Sequence, residues 1–374
     1  MASVRLSNPV RTSWIKRGAI GALILVVWGA VYEHVAAWQD RRRFPQIGHS
    51  VDIGGRSLNV YCSGEGNPTV VLSSGGSLPG FSWRLIQPAI ARVTSACWYD
   101  RPGLGWSDSG PDTQSSYSIA TDLHRLLQMI GRPPPYVLVG HSIGGFEARA
   151  YFRSYPDEVA GMVFVDAAHE DFDARIQVGR AWCVKCPRLP LVFLARVLGR
   201  VGLFRLLGSD PGPAPPGMTP PDWAMLASFQ RQYKTVVAGL QQDSRASEAQ
   251  MRTAGRLDNL PLVVLTGAKT FSSSDPFEAK KLAQAQRTWI ELQAELARLS
   301  TQGKQVIVEK SGHMIPYEAP EAVIAGVLDV VTEVRRTASR RESRAGTKQT
   351  APSLTRTGPD GADEQARRGS VRWR

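Results

Sequence analysis

The sequence lacks the short motifs that hold phosphates, dinucleotides or zinc. No glycine-rich phosphate loop and no dinucleotide fingerprint occurs in its 374 residues. Cysteine is scarce, with four in the whole chain: Cys183 and Cys186 form one Cys-x-x-Cys pair, but no second pair with zinc spacing accompanies it. We therefore predict neither a cofactor nor a metal ion.

A surplus of one charge is also missing from the middle of the chain. The formal net charge is +12, yet residues 1–43 contribute +5 and residues 335–374 contribute +7, which leaves residues 44–334 neutral overall. A nucleic-acid-binding protein needs excess basic side chains to neutralise phosphates. We therefore predict no nucleic-acid partner for the central region.

One long apolar run stands near the N-terminus. It extends over residues 18–38, carries no charge before Glu33, and has basic residues on both sides. A bilayer requires about 20 such residues, and aromatic residues near both ends favour a membrane anchor. Because Val35-Ala36-Ala37 resembles a signal-peptide cleavage site, a removable signal sequence is the alternative. We predict an uncleaved signal-anchor, with the N-terminus inside and the catalytic domain extracytoplasmic.

The strongest signal is the stretch 136–145. An apolar strand-like run leads into Gly140-His141-Ser142-Ile143-Gly144, and a helix-like segment follows. This is the context of a nucleophile elbow, in which the serine sits on a strained turn and the glycines avoid a clash. With this motif, and with the late Ser311-Gly312-His313 loop, the sequence resembles the serine-nucleophile branch of the α/β-hydrolase superfamily.

The resemblance implies an α/β fold, with a mostly parallel central sheet flanked by helices and an inserted helical cap. The segments that we expect to form its strands are 50–53, 58–62, 69–72, 96–100, 136–139, 160–165, 262–266 and 305–308. The cap is predicted over about 168–258, where the alternation of strands and helices stops. Its apolar residues either shape a substrate pocket or pack on the core, and a cap that lies against the membrane is a further alternative.

The chain divides into five predicted segments: a basic N-terminal segment (1–17), a membrane anchor or signal sequence (18–38), a juxtamembrane linker (39–49), the hydrolase domain (50–335) and a basic tail (336–374). The tail has almost no apolar residues, and we therefore predict that it is disordered.

Two backbone amides are candidates for an oxyanion hole. Ile143 follows the serine at a helix N-terminus, where its amide faces a developing negative charge. The resemblance implies a second donor in the loop after strand 69–72, where many members have His-Gly. This chain has Ser74-Gly75 in that place, and the expected donor is the amide of Gly76.

A serine hydroxyl needs a base to take its proton during attack. Of the six histidines, only His313 follows a late strand in a Ser-Gly-His loop, as the base of the superfamily does. Two aspartates are candidates for the acid that orients His313, because Thr270 stands where the superfamily commonly has an aspartate. We favour Asp166, at the end of an earlier strand that would fix its carboxylate, over Asp275 in a Ser-rich loop.

The resemblance also places Cys62 and Cys97 on neighbouring strands. A disulfide between them would agree with an oxidising compartment, and two buried free thiols are the alternative.

The serine nucleophile predicts a hydrolase that cleaves carboxylic esters or related acyl compounds through an acyl-enzyme on Ser142, with an apolar small molecule as substrate. The superfamily's epoxide hydrolases and haloalkane dehalogenases have aspartate at this position, so Ser142 argues against both. An acyltransferase or a cofactor-free haloperoxidase would use the same side chains. Outside enzymes, the alternative is a catalytically silent, membrane-tethered binding protein.

Overall fold

The computed structural model describes residues 9–176, 188–208, 212–273 and 276–349. Its centre is an eight-stranded sheet with the order β1-β2-β4-β3-β5-β6-β7-β8. The strands are β1 His49–Asp52, β2 Ser57–Ser63, β3 Thr69–Ser73, β4 Ala96–Tyr99, β5 Tyr136–His141, β6 Val159–Val165, β7 Leu262–Gly267 and β8 Gly303–Val308. The β1–β2 and β2–β4 pairs are antiparallel and the other pairs are parallel. The predicted fold class is thus confirmed.

Continuous apolar runs form the inner strands of this sheet. Every residue of β3 and β5 is buried, whereas the edge strand β8 alternates between partly buried and exposed residues. Helices cover both faces of a parallel sheet, so its inner strands need apolar side chains on both faces.

The helices pack on the two faces and form the cap. They are α1 Pro9–Arg43, α2 Gln87–Ala91, α3 Ser116–Met129, α4 Gly144–Ser154, α5 Phe172–Arg175, α6 Arg188–Arg200, α7 Leu203–Leu207, α8 Pro220–Arg231, α9 Tyr233–Gln241, α10 Ser244–Arg252, α11 Pro276–Ala297, α12 Ile315–Glu318 and α13 Pro320–Gln349. Apolar residues of α2 and α13 pack on one face of the sheet, and those of α3, α4 and α11 pack on the other.

The cap lies where the sequence predicts it, between β6 and β7. Within the described residues it consists of α5 to α10. Two of these helices, α8 and α9, are separated at Gln232, which has an extended backbone (φ −73°, ψ 131°). Cys183 and Cys186 lie outside the described residues.

Helix α1 is longer than the predicted anchor. It continues through Arg43, so residues 39–43 of the predicted linker are helical. Three arginines in its last turn complement the helix dipole, and Pro45 prevents further extension. Its segment Lys16–Arg43 contains an 18-residue window with a mean hydropathy of 1.7 and is long and apolar enough to cross a membrane, a test that a signal sequence would also pass.

The last helix also extends beyond its predicted end. A boundary between two compact units falls after Arg335, yet α13 continues to Gln349. Residues 336–349 are therefore helical rather than disordered as predicted. Extending an existing helix adds one hydrogen bond per residue without a new nucleus, so alanine and arginine suffice where apolar side chains are absent.

A disulfide joins β2 to β4. Cys62 and Cys97 are directly opposite each other in the antiparallel pair, and their sulfurs are bonded. Of the two sequence-based alternatives, the structure has the disulfide rather than two thiols. The bond closes a loop with a sequence separation of 35 residues and links the hairpin to the parallel part of the sheet.

We expect the Cys62→Ala/Cys97→Ala variant to lose roughly 2–4 kcal/mol of unfolding free energy, because the open chain regains loop entropy in the unfolded state. Thermal melting without reductant measures the effect as a lower Tm. The matched control is Cys183→Ser/Cys186→Ser, which removes the same number of cysteines without changing β2 or β4. Equal melting temperatures for the parent and the Cys62/Cys97 variant would contradict a stabilising disulfide.

Candidate active site

Ser142 occupies a sharp turn between β5 and α4. Its φ is +54°, in the left-handed region, which costs of order 1–3 kcal/mol for a residue with a side chain. The glycines on both sides allow this turn: a Cβ on Gly140 would lie 2.4 Å from the Gly144 carbonyl carbon, and one on Gly144 would lie 2.6 Å from the Ser73 carbonyl oxygen. The local backbone thus has the form expected of a nucleophile elbow.

His313 and Asp166 complete a chain of contacts that begins at Ser142. The Ser142 Oγ lies 3.1 Å from the His313 Nε2, and the His313 Nδ1 lies 2.7 Å from the Asp166 Oδ2. The carboxylate is fully buried, whereas the histidine side chain is 39% exposed. The three side chains come from the carboxyl ends of β5 and β6 and from the loop after β8, which parallel strands bring to one edge of the sheet.

The Asp166 carboxylate accepts three hydrogen bonds besides that of His313. The Gly267 amide and the Trp289 Nε1–H donate to Oδ1 at 2.9 and 2.8 Å, and the Thr270 hydroxyl donates to Oδ2 at 2.9 Å. Such donors stabilise the ionised form of a buried carboxylate. Thr270, the residue that stands where an aspartate is common, thus contacts the aspartate supplied by the neighbouring strand.

Sequence reasoning found Thr270 only as a departure from the family pattern and missed Trp289 altogether. Trp289 lies on α11 with the spacing of an ordinary core residue, and no local motif marks it. Asp275, the alternative acid, lies outside the described residues.

The loop that carries His313 is held by two side chains. The His141 Nε2–H donates to the His313 carbonyl oxygen at 2.9 Å. Burial, together with the nearby His313, lowers the pKa of His141 to about 4, so this imidazole is neutral near pH 7. Glu318 accepts hydrogen bonds from the Gly312 amide at 2.5 Å and from the Ser311 hydroxyl at 2.8 Å. These contacts fix the backbone on both sides of the histidine.

The two oxyanion candidates, Gly76 and Ile143, line the same cavity as Ser142. Ile143 is the N-cap of α4, where backbone amides point outward from the helix end. Arg101 holds the loop that contains Gly76. Its guanidinium donates to the Gly75 carbonyl and pairs with the buried Glu147 at 2.7 Å.

The cavity above the three side chains has a volume of about 570 Å³. Its apolar lining residues are Ile143, Phe146, Ala168, Phe172, Phe271 and Trp289. Cap residues, among them Gln242, Ser244 and Glu248, form part of the polar lining. The volume lies within the range of small-molecule sites, and the mixture of apolar walls with a few polar groups is typical of them.

The geometry supports acyl transfer. A hydroxyl beside an imidazole, which is in turn oriented by a carboxylate, forms the nucleophile–base–orienter arrangement of covalent catalysis. No group of three or more His, Cys, Asp or Glu side chains that could hold a metal ion occurs in the described residues.

Comparison with known proteins identifies the family. The family model described as "Alpha/beta hydrolase family" matches residues 70–326. The uncharacterized protein YbdG of Bacillus subtilis (strain 168) is 28% identical over 152 residues, which are 40% of this chain and 47% of that protein. The alignment thus spans about half the length of that relative.

Two solved structures share the fold. A thermophilic esterase from Thermogutta terrifontis matches with a TM-score of 0.55 at 21% identity, over 77% of this chain and 99% of that one. The epoxide hydrolase CorEH matches with a TM-score of 0.53 at 20% identity, again over 77% and 99%. At these identities the likeness concerns the fold alone.

The family match extends over more than half of the chain and includes Ser142, Asp166 and His313. The sheet order, the turn at Ser142 and the cap between β6 and β7 agree with it. This chain therefore belongs to the alpha/beta hydrolase family.

Proposed function

We propose that the protein is a serine hydrolase that cleaves carboxylic esters or related acyl compounds, with Ser142 as nucleophile. The observation that carries the proposal is the unbroken series of contacts from the Ser142 Oγ through His313 to the Asp166 carboxylate, at 3.1 and 2.7 Å. Ser142, where the series begins, lines a cavity large enough for a small-molecule acyl substrate.

In the first half of the reaction, the Ser142 Oγ attacks the carbonyl carbon of the substrate while the His313 Nε2 takes the hydroxyl proton. The amides of Gly76 and Ile143 donate to the oxyanion of the tetrahedral intermediate. When the carbon–oxygen bond to the alcohol breaks, His313 returns the proton to the leaving oxygen. The product of this half is an ester of Ser142.

In the second half, His313 takes a proton from water as the water oxygen attacks the acyl carbon. The bond to Ser142 then breaks, and the serine oxygen regains its proton. Asp166 keeps the His313 Nδ1–H directed away from the serine and stabilises the imidazolium that forms in each half. The Asp166 carboxylate suits this role because it is buried and accepts four hydrogen bonds. These bonds fix its orientation and compensate its negative charge.

The nucleophile also separates this proposal from epoxide hydrolysis, the activity named for one structural neighbour. The superfamily's epoxide hydrolases use aspartate where this chain has Ser142. An acyltransferase or a haloperoxidase would differ only in the molecule that accepts the acyl group. Assays that offer water, an alcohol and peroxide as acceptors distinguish these outcomes.

The proposal includes membrane attachment through α1, with the catalytic domain on the extracytoplasmic side. The apolar segment Lys16–Arg43 and the disulfide between Cys62 and Cys97 support it, since disulfides persist in oxidising compartments. Alkaline carbonate extraction of membranes that contain the full chain tests the attachment. We expect the chain to remain with the membrane pellet, whereas release into the supernatant would contradict an uncleaved anchor.

We expect a fluorophosphonate probe to label the full chain and Ser142→Ala to abolish the labelling. Ester hydrolysis is expected to fall by at least about 10³-fold in Ser142→Ala and in His313→Ala, and by roughly 10³- to 10⁴-fold in Asp166→Asn. Asp275→Asn is the matched control for the acid and is expected to keep parental activity. If Asp275→Asn silences the protein while Asp166→Asn remains active, the assignment of the acid is wrong.

We expect Thr270→Val to lower kcat for ester hydrolysis by about tenfold, since a lost hydrogen bond to a charged group costs roughly 1.5 kcal/mol. Valine keeps the shape of threonine but leaves the Asp166 Oδ2 one donor short. Thr270→Ser retains the hydroxyl and is expected to stay near parental kcat. If the two variants show equal losses, or if the loss lies in KM rather than kcat, Thr270 does not act through Asp166.

We expect p-nitrophenyl esters to show highest kcat/KM at a short or intermediate acyl length and a decline for long chains, because a cavity of about 570 Å³ has a limited apolar volume. Phe271→Ala removes a ring from the apolar wall and so enlarges the cavity, which should move the optimum toward longer acyl chains. A preference for the longest chains in the parent protein would contradict a substrate contained within this cavity.

A further inference from the structure

The cap helices α6 and α7 expose an unusual amount of apolar surface. Among described residues outside α1, nine large apolar side chains are exposed, and six of them belong to these two helices. The six are Leu191, Phe193, Leu194, Val197, Leu206 and Leu207. Their exposed fractions range from 36% for Leu191 to 72% for Leu207. Clustered apolar exposure of this kind marks a surface that contacts something other than water.

Helix α6 is apolar on two opposite sides. Val192 and Ala195 are buried against Val237 of α9, while Phe193 and Leu194 are exposed on the other side. A helix at a water-exposed surface normally carries polar residues on the side away from the core. The exposed apolar residues of α6 therefore indicate that this side of the helix contacts protein or lipid.

The turn that joins α6 to α7 packs directly on α1. A Cβ on Gly29 of α1 would lie 2.5 Å from the Val201 carbonyl oxygen, and one on Gly202 would lie 2.8 Å from the Tyr32 ring. Glycines at these two positions let the anchor helix and the α6–α7 turn approach closely, as small residues do between helices in membranes. The cap is thus packed directly on the segment that is long and apolar enough to cross a bilayer.

An ionic contact holds the two parts together. The Arg205 guanidinium of α7 bonds Glu33 at 2.9 Å and Asp40 at 2.6 Å, both on α1. The side chains of Arg205 and Glu33 are only 8% and 9% exposed. An unpaired carboxylate within a membrane segment is costly, and the pairing with Arg205 reduces that cost for Glu33.

The position of these contacts along α1 fixes their depth. Gly29 lies nine residues before Trp38, the end of the apolar run, which corresponds to about 14 Å along a helix. The hydrocarbon core of a bilayer is about 30 Å thick. If α1 spans it, the α6–α7 turn meets α1 within the leaflet nearest the catalytic domain.

We propose that α6 and α7 are seated in this leaflet beside α1, with Phe193, Leu194, Leu206 and Leu207 among lipid acyl chains and with Arg205 clamped to Glu33 and Asp40. The inference rests on the membrane attachment proposed above and is independent of the reaction at Ser142. The occupant of the apolar surface is the bilayer that α1 enters, because that surface adjoins α1 itself.

The proposed seating also places the lipid-facing part of the cap close to the substrate cavity. Helix α6 packs on α9 through Val192, Ala195 and Val237. Gln242, which directly follows α9, lines the cavity together with Ser244 and Glu248 of α10. The part of the cap that contacts lipid is therefore one helix away from the part that faces the substrate.

Site-directed fluorescence tests the seating in the full chain reconstituted into phosphatidylcholine vesicles. A Cys183→Ser/Cys186→Ser background receives one cysteine for labelling with an NBD fluorophore, at Phe193 or Leu207. We expect strong quenching by lipids that carry a nitroxide on the acyl chain and little quenching by aqueous iodide. Met129→Cys, an apolar position of α3 that is 64% exposed, is the control and should show the reverse pattern.

A label at Leu25→Cys in α1 distinguishes a failure of the membrane attachment from a failure of the proposed seating of α6 and α7. If the Leu25 label escapes lipid quenching, the membrane attachment itself is wrong. If that label is quenched while those at Phe193 and Leu207 respond only to iodide, the attachment holds and the seating is overturned. Shielding of Phe193 and Leu207 that persists in detergent and increases with protein concentration would identify a second copy as the occupant and would also overturn the proposal.

The clamp is tested in the same assay. We expect Arg205→Gln to reduce the lipid quenching of the Leu207 label by at least about half while leaving the Leu25 label unchanged. The matched control is Arg196→Gln, which removes a cap arginine that pairs with Asp112 at 2.7 Å rather than with α1. Equal quenching in Arg205→Gln and in the parent would show that the ionic contact does not hold the cap to the anchor.

Discussion

The arrangement of the site depends on one buried carboxylate. Asp166 lies at the end of β6 with a φ of +43° and is fully buried, a position that would be unfavourable for a charge without partners. Four donors satisfy it, from β7, from the following loop, from α11 and from the loop after β8. Because each donor comes from a different part of the chain, the carboxylate fixes their relative positions as well as the orientation of His313.

This dependence explains what the sequence could and could not predict about the site. Ser142 and His313 stand in short sequence motifs. The residues of each motif are those that the local backbone conformation requires, so they can be recognised from the sequence. The partners of Asp166 meet it only after folding, across sequence separations of 101 to 147 residues. Trp289 therefore resembles any core tryptophan of a helix, and Thr270 becomes informative only once its bond to Asp166 is known.

The same reasoning applies to the fold. The inner strands were predictable within a residue or two, since burial on both faces requires continuous apolar runs. The ends of α1 and α13 were not, because the prediction took charged composition as the end of each helix. A helix that is already nucleated continues through arginine and alanine until a proline or a tertiary contact ends it. Helix α1 shows this, as it passes through Asp40 and stops before Pro45.

Glu33 shows how a tertiary partner changes the interpretation of a single residue. In the sequence it interrupts an apolar run and weakens the case for a membrane span. In the structure it is buried against Arg205, a cap residue 172 positions away, so its charge is compensated where the run would otherwise be broken. Glu33 of α1 and Arg205, which stands among the leucines of α7, thus form one ionic contact. Each charge would be unfavourable without the other, and together they connect α1 to the cap.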